Sequence, residues 1–171
     1  MEGFERLGGD VVVKPLFGSE GRGILRVEDP ALALRVFKTL SQLGSVLYLQ
    51  KFIPHDGFDI RLLLIGPHAF SIRRCNPSDW RTNISLGATA EAVTVAPEIV
   101  AMARQAAAAI GASIAGVDIL PGRDGRLYLL EVNAVPGWQA TARTLGIDAA
   151  ALVLDHLESL AAAVDKGGAS G

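Results

Sequence analysis

The sequence predicts an α+β fold, a mostly antiparallel sheet with helices packed on one face. Two observations carry this. Strand-like segments follow one another directly, joined at tight-turn signals such as Gly66-Pro67 and Asp124-Gly125, and the helical segments do not alternate with them in the strict βαβ manner of a parallel sheet.

Each element has a local reason. Val11-Val12-Val13 is a β-branched run before Pro15 that delivers Lys14 to a strand end. A glycine-rich loop follows, and strand character resumes at Ile24 to Val27. Asp29-Pro30 supplies an N-cap and a proline at the first helical position for a helix reaching about Leu43, closed by Gly44. Val46 to Gln50, Phe58 to Ile65 and His68 to Arg74 read as strands, the last two joined at Gly66-Pro67. Cys75 to about Ala92 is polar and without period, which predicts a functional loop. Pro97 opens an alanine-rich helix ending before Gly111. Two strands, Ile114 to Leu120 and Arg126 to Asn133, then form a hairpin. A terminal helix places Val153, Leu157, Leu160 and Val164 on one face, predicting that it lies on the sheet.

The length of 171 residues predicts one domain over 1–165 with one core, and a flexible tail over 166–171. A mean hydropathy of +0.33 excludes a disordered chain. No run approaches the roughly 20 apolar residues of a membrane span, and no basic segment followed by an apolar one opens the chain. A cytoplasmic protein without a membrane partner is expected. Cys75 is the single cysteine, with no second thiol for a disulfide and no neighbours at zinc-ligand spacing. The net charge of −2 supplies no field for a nucleic-acid backbone, so no nucleic-acid partner is expected.

The hairpin is the most informative segment. If Asp124-Gly125 is its two-residue turn, residues whose numbers sum to 249 lie opposite each other, and Asp118 faces Glu131. Ala115, Val117 and Ile119 then share an apolar face with Tyr128, Leu130 and Val132, while Asn133 joins the acids on the other. Opposed carboxylates repel unless a cation lies between them. Magnesium suits two carboxylates and a neutral oxygen, leaving positions for water and phosphate. Two unrelated acids on a solvated face are the alternative.

Lys14, followed by Gly18-Ser19-Glu20-Gly21-Arg22-Gly23, is a candidate phosphate cradle, because glycines let backbone N–H groups turn toward an anion. It lacks the Gly-Lys-Ser/Thr ending of a P-loop. Arg61, Arg73, Arg74 and Arg81 form a second basic group suited to an anionic substrate, although adjacent Arg73 and Arg74 point to opposite sheet faces. Asp59 is a candidate for a ribose hydroxyl or for an ion pair with Arg61, and Phe52 for a purine ring or the core.

In order, Val-Lys-Pro, the glycine loop, Leu-Gln-Lys-Phe-Ile, Asp-Ile-Arg, Arg-Arg, Asp-Trp-Arg-Thr-Asn, Ala-Gly-Val-Asp-Ile-Leu and Glu-Val-Asn-Ala-Val-Pro-Gly-Trp resemble the ATP-grasp fold, specifically the RimK-like carboxylate-amine ligases, from about Val11 to Leu160. The resemblance implies ATP and Mg2+, with Mn2+ as an alternative ion. Lys14 and the loop containing Gly18, Ser19, Gly21 and Gly23 would hold phosphates, and Gln50, Lys51, Phe52 and Ile53 would border adenine. Asp59 would approach the ribose, Arg81 and Asn83 would serve the phosphates or the transition state, and Asp118, Glu131 and Asn133 would bind the metal. Arg61 and Arg73 would meet the acceptor carboxylate or acyl phosphate.

The implied reaction joins an amino acid, glutamate, to a carboxylate acceptor through an acyl phosphate. The resemblance leaves room for a homo-oligomer. Lys51 stands where many relatives have glutamate, and Ser85-Leu86 replaces a more basic stretch of the relatives that glutamylate a ribosomal protein. Trp80 and Val135-Pro136-Gly137-Trp138 resemble the branch linked to methanopterin-type cofactor synthesis. The chain begins almost at the Lys14 strand, so a portion lacking the family's N-terminal region is expected. The alternative reading is a nucleotide-binding module without turnover.

Overall fold

The computed structural model describes residues 1–15 and 23–168, with side chains to residue 163. The chain divides into two compact units, Met1–Pro54 and His55–Gly171. The single core expected from length is instead distributed over separate clusters in the two units.

The first unit holds a three-stranded antiparallel sheet in the order β2-β1-β3, formed by β1 (Val11–Lys14), β2 (Leu25–Val27) and β3 (Tyr48–Lys51). Its helices are α1 (Glu2–Arg6) and α2 (Pro30–Gln42). Alternation along β1 puts Val11 and Val13 on the face that packs with Val27, Phe4 of α1, and Ala33 and Phe37 of α2. The Phe4 and Phe37 rings meet edge to face with centroids 6.4 Å apart. The Asp29 carboxylate accepts from the Leu32 amide at 2.7 Å, the expected N-cap. α1 is too short to show a period in the sequence, and Phe4 is its one buried residue.

The second unit is built on a five-stranded antiparallel sheet, β6-β5-β4-β7-β8. Its strands are β4 (Phe58–Ile65), β5 (His68–Cys75), β6 (Thr89–Ala92), β7 (Ile114–Pro121) and β8 (Leu127–Asn133). Ile60, Leu62 and Leu64 of β4, with Ala115, Val117 and Ile119 of β7, form a buried cluster with Ile99, Ala103 and Ala107 of α3 (Pro97–Ala109). Arg104 of α3 donates to the Gly66 and Pro67 carbonyls at 3.1 and 2.5 Å, fastening the helix to the β4–β5 turn.

The α+β class holds, and helices lie on one face of the smaller sheet. The larger sheet differs from expectation. Leu63 and Ile65, on the face of β4 away from α3, pack with Ala142 of α4 (Gln139–Leu145) and Ala149 of α5 (Ala149–Gly168). Apolar residues at both parities of β4 require cover on both faces. In α5, Leu152 and Val153 join this cluster, whereas Leu157 and Leu160 are exposed. Of the predicted docking stripe Val153 therefore docks, whereas Leu157 and Leu160 do not, and Val164 lies outside the described side chains. α5 continues to Gly168, past the expected start of the tail. Within the described residues no helix is long and apolar enough to cross a membrane.

Candidate functional site

Asp118 and Glu131 are directly paired across β7 and β8, with Val117 opposite Val132 and Gly116 opposite Asn133. The predicted two-residue turn is nevertheless wrong. Gly122 donates to the Arg126 carbonyl at 2.8 Å and Gly125 to the Gly122 carbonyl at 3.0 Å, enclosing Arg123-Asp124-Gly125. Gly125, at φ +77, takes the left-handed position that such a loop needs. Near the turn the register therefore falls one short of expectation, with Ile119 opposite Leu129 and Pro121 opposite Leu127. An irregularity after Asp118 restores it, because Leu130 is the extra residue of a β-bulge. Tyr128 consequently leaves the predicted apolar face, pairs with Leu120 and donates its hydroxyl to Asp124 at 2.6 Å. Leu127 packs against the α3 cluster instead.

Asp118 is 6% exposed. Arg61, opposite it on β4, donates through Nη1 to both carboxylate oxygens at 3.1 and 3.2 Å. Arg74 of β5 reaches Oδ2 through Nη2 at 2.8 Å. The same Arg74 grips Asp59 with two hydrogen bonds of 2.8 and 2.5 Å, and the Thr82 hydroxyl donates to Asp59 at 2.7 Å. Burial pushes the Asp59 carboxyl above the usual range against the pull of Arg74. Burial acts to lower the Arg74 guanidinium too, but the two carboxylates together outweigh it and hold it well above the ordinary arginine range.

This arrangement corrects two expectations. Asp59 is 1% exposed with both oxygens bonded, so it is a buried anchor for Arg74 rather than a ribose contact or an Arg61 partner. Arg73 lies opposite Ile60 on the α3 side, stacks over Phe58 at 4.5 Å and pairs with Glu91 at 3.4 Å. It cannot share a sheet face with Asp118. Arg74 does, and was missed as a site residue. The signal was available: the turn at Gly66-Pro67 sets Ile65 opposite His68 and hence Asp59 opposite Arg74.

The segment expected to be a polar functional loop contains a short 3-10 helix, Ile84–Leu86, and ends in the unpredicted edge strand β6. Buried Asn76 donates to the Arg81 carbonyl at 2.9 Å. The Arg81 guanidinium is folded onto Asp79, with its shortest bond 2.6 Å, and that contact holds the Asp79 carboxyl below its usual range. Asn83 is the N-cap residue of the 3-10 helix, its carbonyl accepting from Leu86 at 3.0 Å. Thr82, between these two expected phosphate residues, points inward to Asp59.

In the first unit, Lys14 pairs with Tyr48 and Val12 with Gln50. Lys14 and Gln50 thus share the sheet face opposite the helices. The Gln50 amide donates to the Tyr48 hydroxyl at 2.9 Å. Lys51 is exposed at the end of β3 and Ile53 half-buried beyond it. Phe52 departs from its purine role: it is 9% exposed and the Arg26 guanidinium covers its ring at 3.7 Å, itself held by Asp10 at 2.9 and 2.8 Å. Gly18, Ser19 and Gly21 lie outside the described residues. Gly23, at φ +74, follows them.

Asp118, Glu131 and Asn133 form a set of oxygen donors suited to a hard divalent cation, with one face holding two carboxylates and an amide. The Asn133 Oδ1 accepts from the Val135 amide at 2.9 Å, which orients the amide and leaves a lone pair. The residues therefore fit magnesium.

Residues 3–157 match the RimK-like ATP-grasp domain. The tetrahydromethanopterin:alpha-L-glutamate ligase of Methanococcus maripaludis is 34% identical over 152 residues, covering 86% of this chain and 52% of that protein. A probable alpha-L-glutamate ligase of Aeromonas salmonicida is 36% identical over 162 residues, covering 93% of this chain and 54% of that protein. The chain thus spans about half the length of the curated relatives it matches. Among solved structures, the ATP-grasp ligase PsnB complexed with a phosphomimetic variant of its minimal precursor, Mg and ADP superposes with a TM-score of 0.67 at 20% identity. That match covers 92% of this chain and 48% of PsnB and establishes a shared fold.

Proposed function

Because the chain belongs to the RimK-like ATP-grasp family, we propose that it is the ATP-grasp domain, over residues 1–165, of an ATP-dependent carboxylate-amine ligase that attaches glutamate. The observation that carries this reading is Asp118 opposite Glu131, with Asn133 on the same face and the Arg61 and Arg74 guanidinium groups beside them. Phosphoryl transfer proceeds mainly by alignment and charge neutralisation, and a site of acids, arginines and an amide without a nucleophilic dyad suits it.

In this reading the γ-phosphoryl of ATP passes to an oxygen of the acceptor carboxylate, releasing ADP. The glutamate amine then attacks the acyl carbon, phosphate departs and the amine proton is lost, leaving an amide. Asp118, Glu131 and Asn133 would hold Mg2+, or Mn2+ through the same oxygens; the ion supplies neutralisation of phosphate charge. Lys14 and the Gly18 to Gly23 loop bind phosphates, and the backbone at Lys51 and Ile53 faces adenine. Arg81 exchanges Asp79 for phosphate oxygens, and Asn83 donates beside it. Arg61 serves the anionic reactant.

A second reading, nucleotide binding without turnover by these 171 residues alone, is supported by the share of its relatives that the chain spans. Calorimetric titration with Mg-ATP, beside an ADP-release assay containing glutamate and candidate acceptors, separates the two. Acceptor-dependent ADP release supports the ligase domain acting alone. Mg-ATP binding without release supports the second reading, and no binding overturns both.

A further inference from the structure

The two arginines on Asp118 are held in different ways. Arg74 is 5% exposed and fixed by two hydrogen bonds to Asp59, whose Oδ2 also accepts from the Thr82 hydroxyl. Its 2.8 Å contact to Oδ2 therefore has a rigid donor. Arg61 touches Asp118 through a single nitrogen shared between both oxygens, at 3.1 and 3.2 Å. That is long for a charge-assisted bond, and these are the only hydrogen bonds of its side chain among the described residues.

The space around Arg61 is also specific. A Cβ on Gly116 would lie 2.7 Å from Arg61 Nη2 and 2.9 Å from Pro136 Cβ, so the absent side chain at Gly116 makes room for the guanidinium beside the acid pair. Charge completes the argument. Asp59 offsets Arg74, and Asp118 with Glu131 then carries one negative charge beyond what Arg61 neutralises. A divalent cation in place of Arg61 brings the acid pair to neutrality, and the released guanidinium becomes available to an anion.

We propose that Arg74 is a positioning residue that tethers Asp118, and that Arg61 is its exchangeable counter-ion, displaced when a divalent cation takes the Asp118–Glu131 pair. This rests on the reading of Asp118 and Glu131 as cation ligands. Arg61 thus holds Asp118 until a divalent cation binds and then turns to the anionic reactant, coupling metal loading to substrate capture.

The test is a nucleotide-free Mn2+ titration of the whole chain, following free Mn2+ by electron paramagnetic resonance well below the melting temperature. Arg61→Gln is expected to bind Mn2+ about threefold or more tightly than the wild type, since a competing charge is gone. Arg74→Lys, which keeps the charge but loses the two-pronged grip on Asp59, is expected to bind about tenfold more weakly. Should Arg74→Lys fail to fold, Thr82→Val, which removes the hydroxyl that donates to Asp59, tests the tether and is expected to weaken Mn2+ binding. Arg123→Gln, at the exposed hairpin tip, controls for general electrostatics and should leave affinity unchanged. Saturable wild-type binding that is lost in Glu131→Gln but not tightened in Arg61→Gln overturns the counter-ion role and leaves the metal site standing. Equal tightening in Arg61→Gln and Arg123→Gln overturns it as well, and unaltered affinity in Arg74→Lys or Thr82→Val overturns the tether. No saturable Mn2+ binding in any variant overturns both this inference and the metal site beneath it.

Discussion

Asp118 lies opposite Glu131 although the loop that joins their strands is one residue longer than the two-residue turn its Asp-Gly dipeptide predicts. The bulge at Leu130 absorbs the difference, so the acid pair depends on that one extra residue. The two acids differ in setting: Asp118 is buried between two guanidinium groups and Glu131 is exposed. Asp118→Asn is therefore expected to lose about 3–5 kcal/mol of stability along with metal affinity, because it strips buried arginines of their partner. Glu131→Gln should lose metal affinity with an unchanged melting temperature. Thermal denaturation beside Mn2+ titration of both variants checks the contrast, and equal melting losses would refute it.

Much of this was legible in the sequence because period and punctuation agreed. Phe58–Ile65 and the start of the helix at Pro97 emerged as observed since alternation, proline and alanine content all pointed one way. β6 was not legible: Thr89-Ala90-Glu91-Ala92 offers only two alanines to its apolar face, and the strand exists through its ladder to β5. α4 buries only Thr141 and likewise shows no stripe. At the site, the acids stood out against apolar neighbours. Arg74 is legible only through the parity that the Gly66-Pro67 turn fixes along β5 to its end.

The Asp59–Arg74–Thr82 cluster should behave as a structural unit. Thr82→Val removes one hydrogen bond to a buried carboxylate and is expected to cost about 1.5–3 kcal/mol. Asp59→Asn leaves Arg74 with Asp118 alone and should cost more, about 3–5 kcal/mol. In the double variant the losses should fall short of additive, since both act on one carboxylate. Urea denaturation of the cycle measures this, and strictly additive losses would show the groups to be independent.

The exposed leucines of α5 yield an opposite expectation. Leu154, Leu157 and Leu160 are 60%, 48% and 43% exposed. Leu157→Glu should change the stability of this chain by no more than about 0.5 kcal/mol. Leu63→Ala, in a residue 1% exposed beneath the same helix region, should cost about 2–5 kcal/mol. A large loss for Leu157→Glu in denaturant would restore the stripe that the sequence suggested.

Acid should loosen the Asp79–Arg81 turn in a predictable direction. The hydrogen bond from Arg81 is the main reason that the Asp79 carboxyl is held below its usual range. A carboxyl depressed in the folded state contributes stability above its unfolded pKa of about 3.9 and loses that contribution as pH falls through the lower, folded value. The pair is partly solvated, with side chains 29% and 24% exposed, which limits the effect to no more than about 1 kcal/mol. Asp79→Asn should therefore be less stable than the wild type at pH 6 by up to that amount, and the two proteins should converge as pH falls through the lowered folded value, where Asp79 gains its proton. Paired denaturation curves from pH 6 to pH 3 test the sign. A gap that widens on acidification would mean that the Arg81 contact does not hold Asp79 ionised.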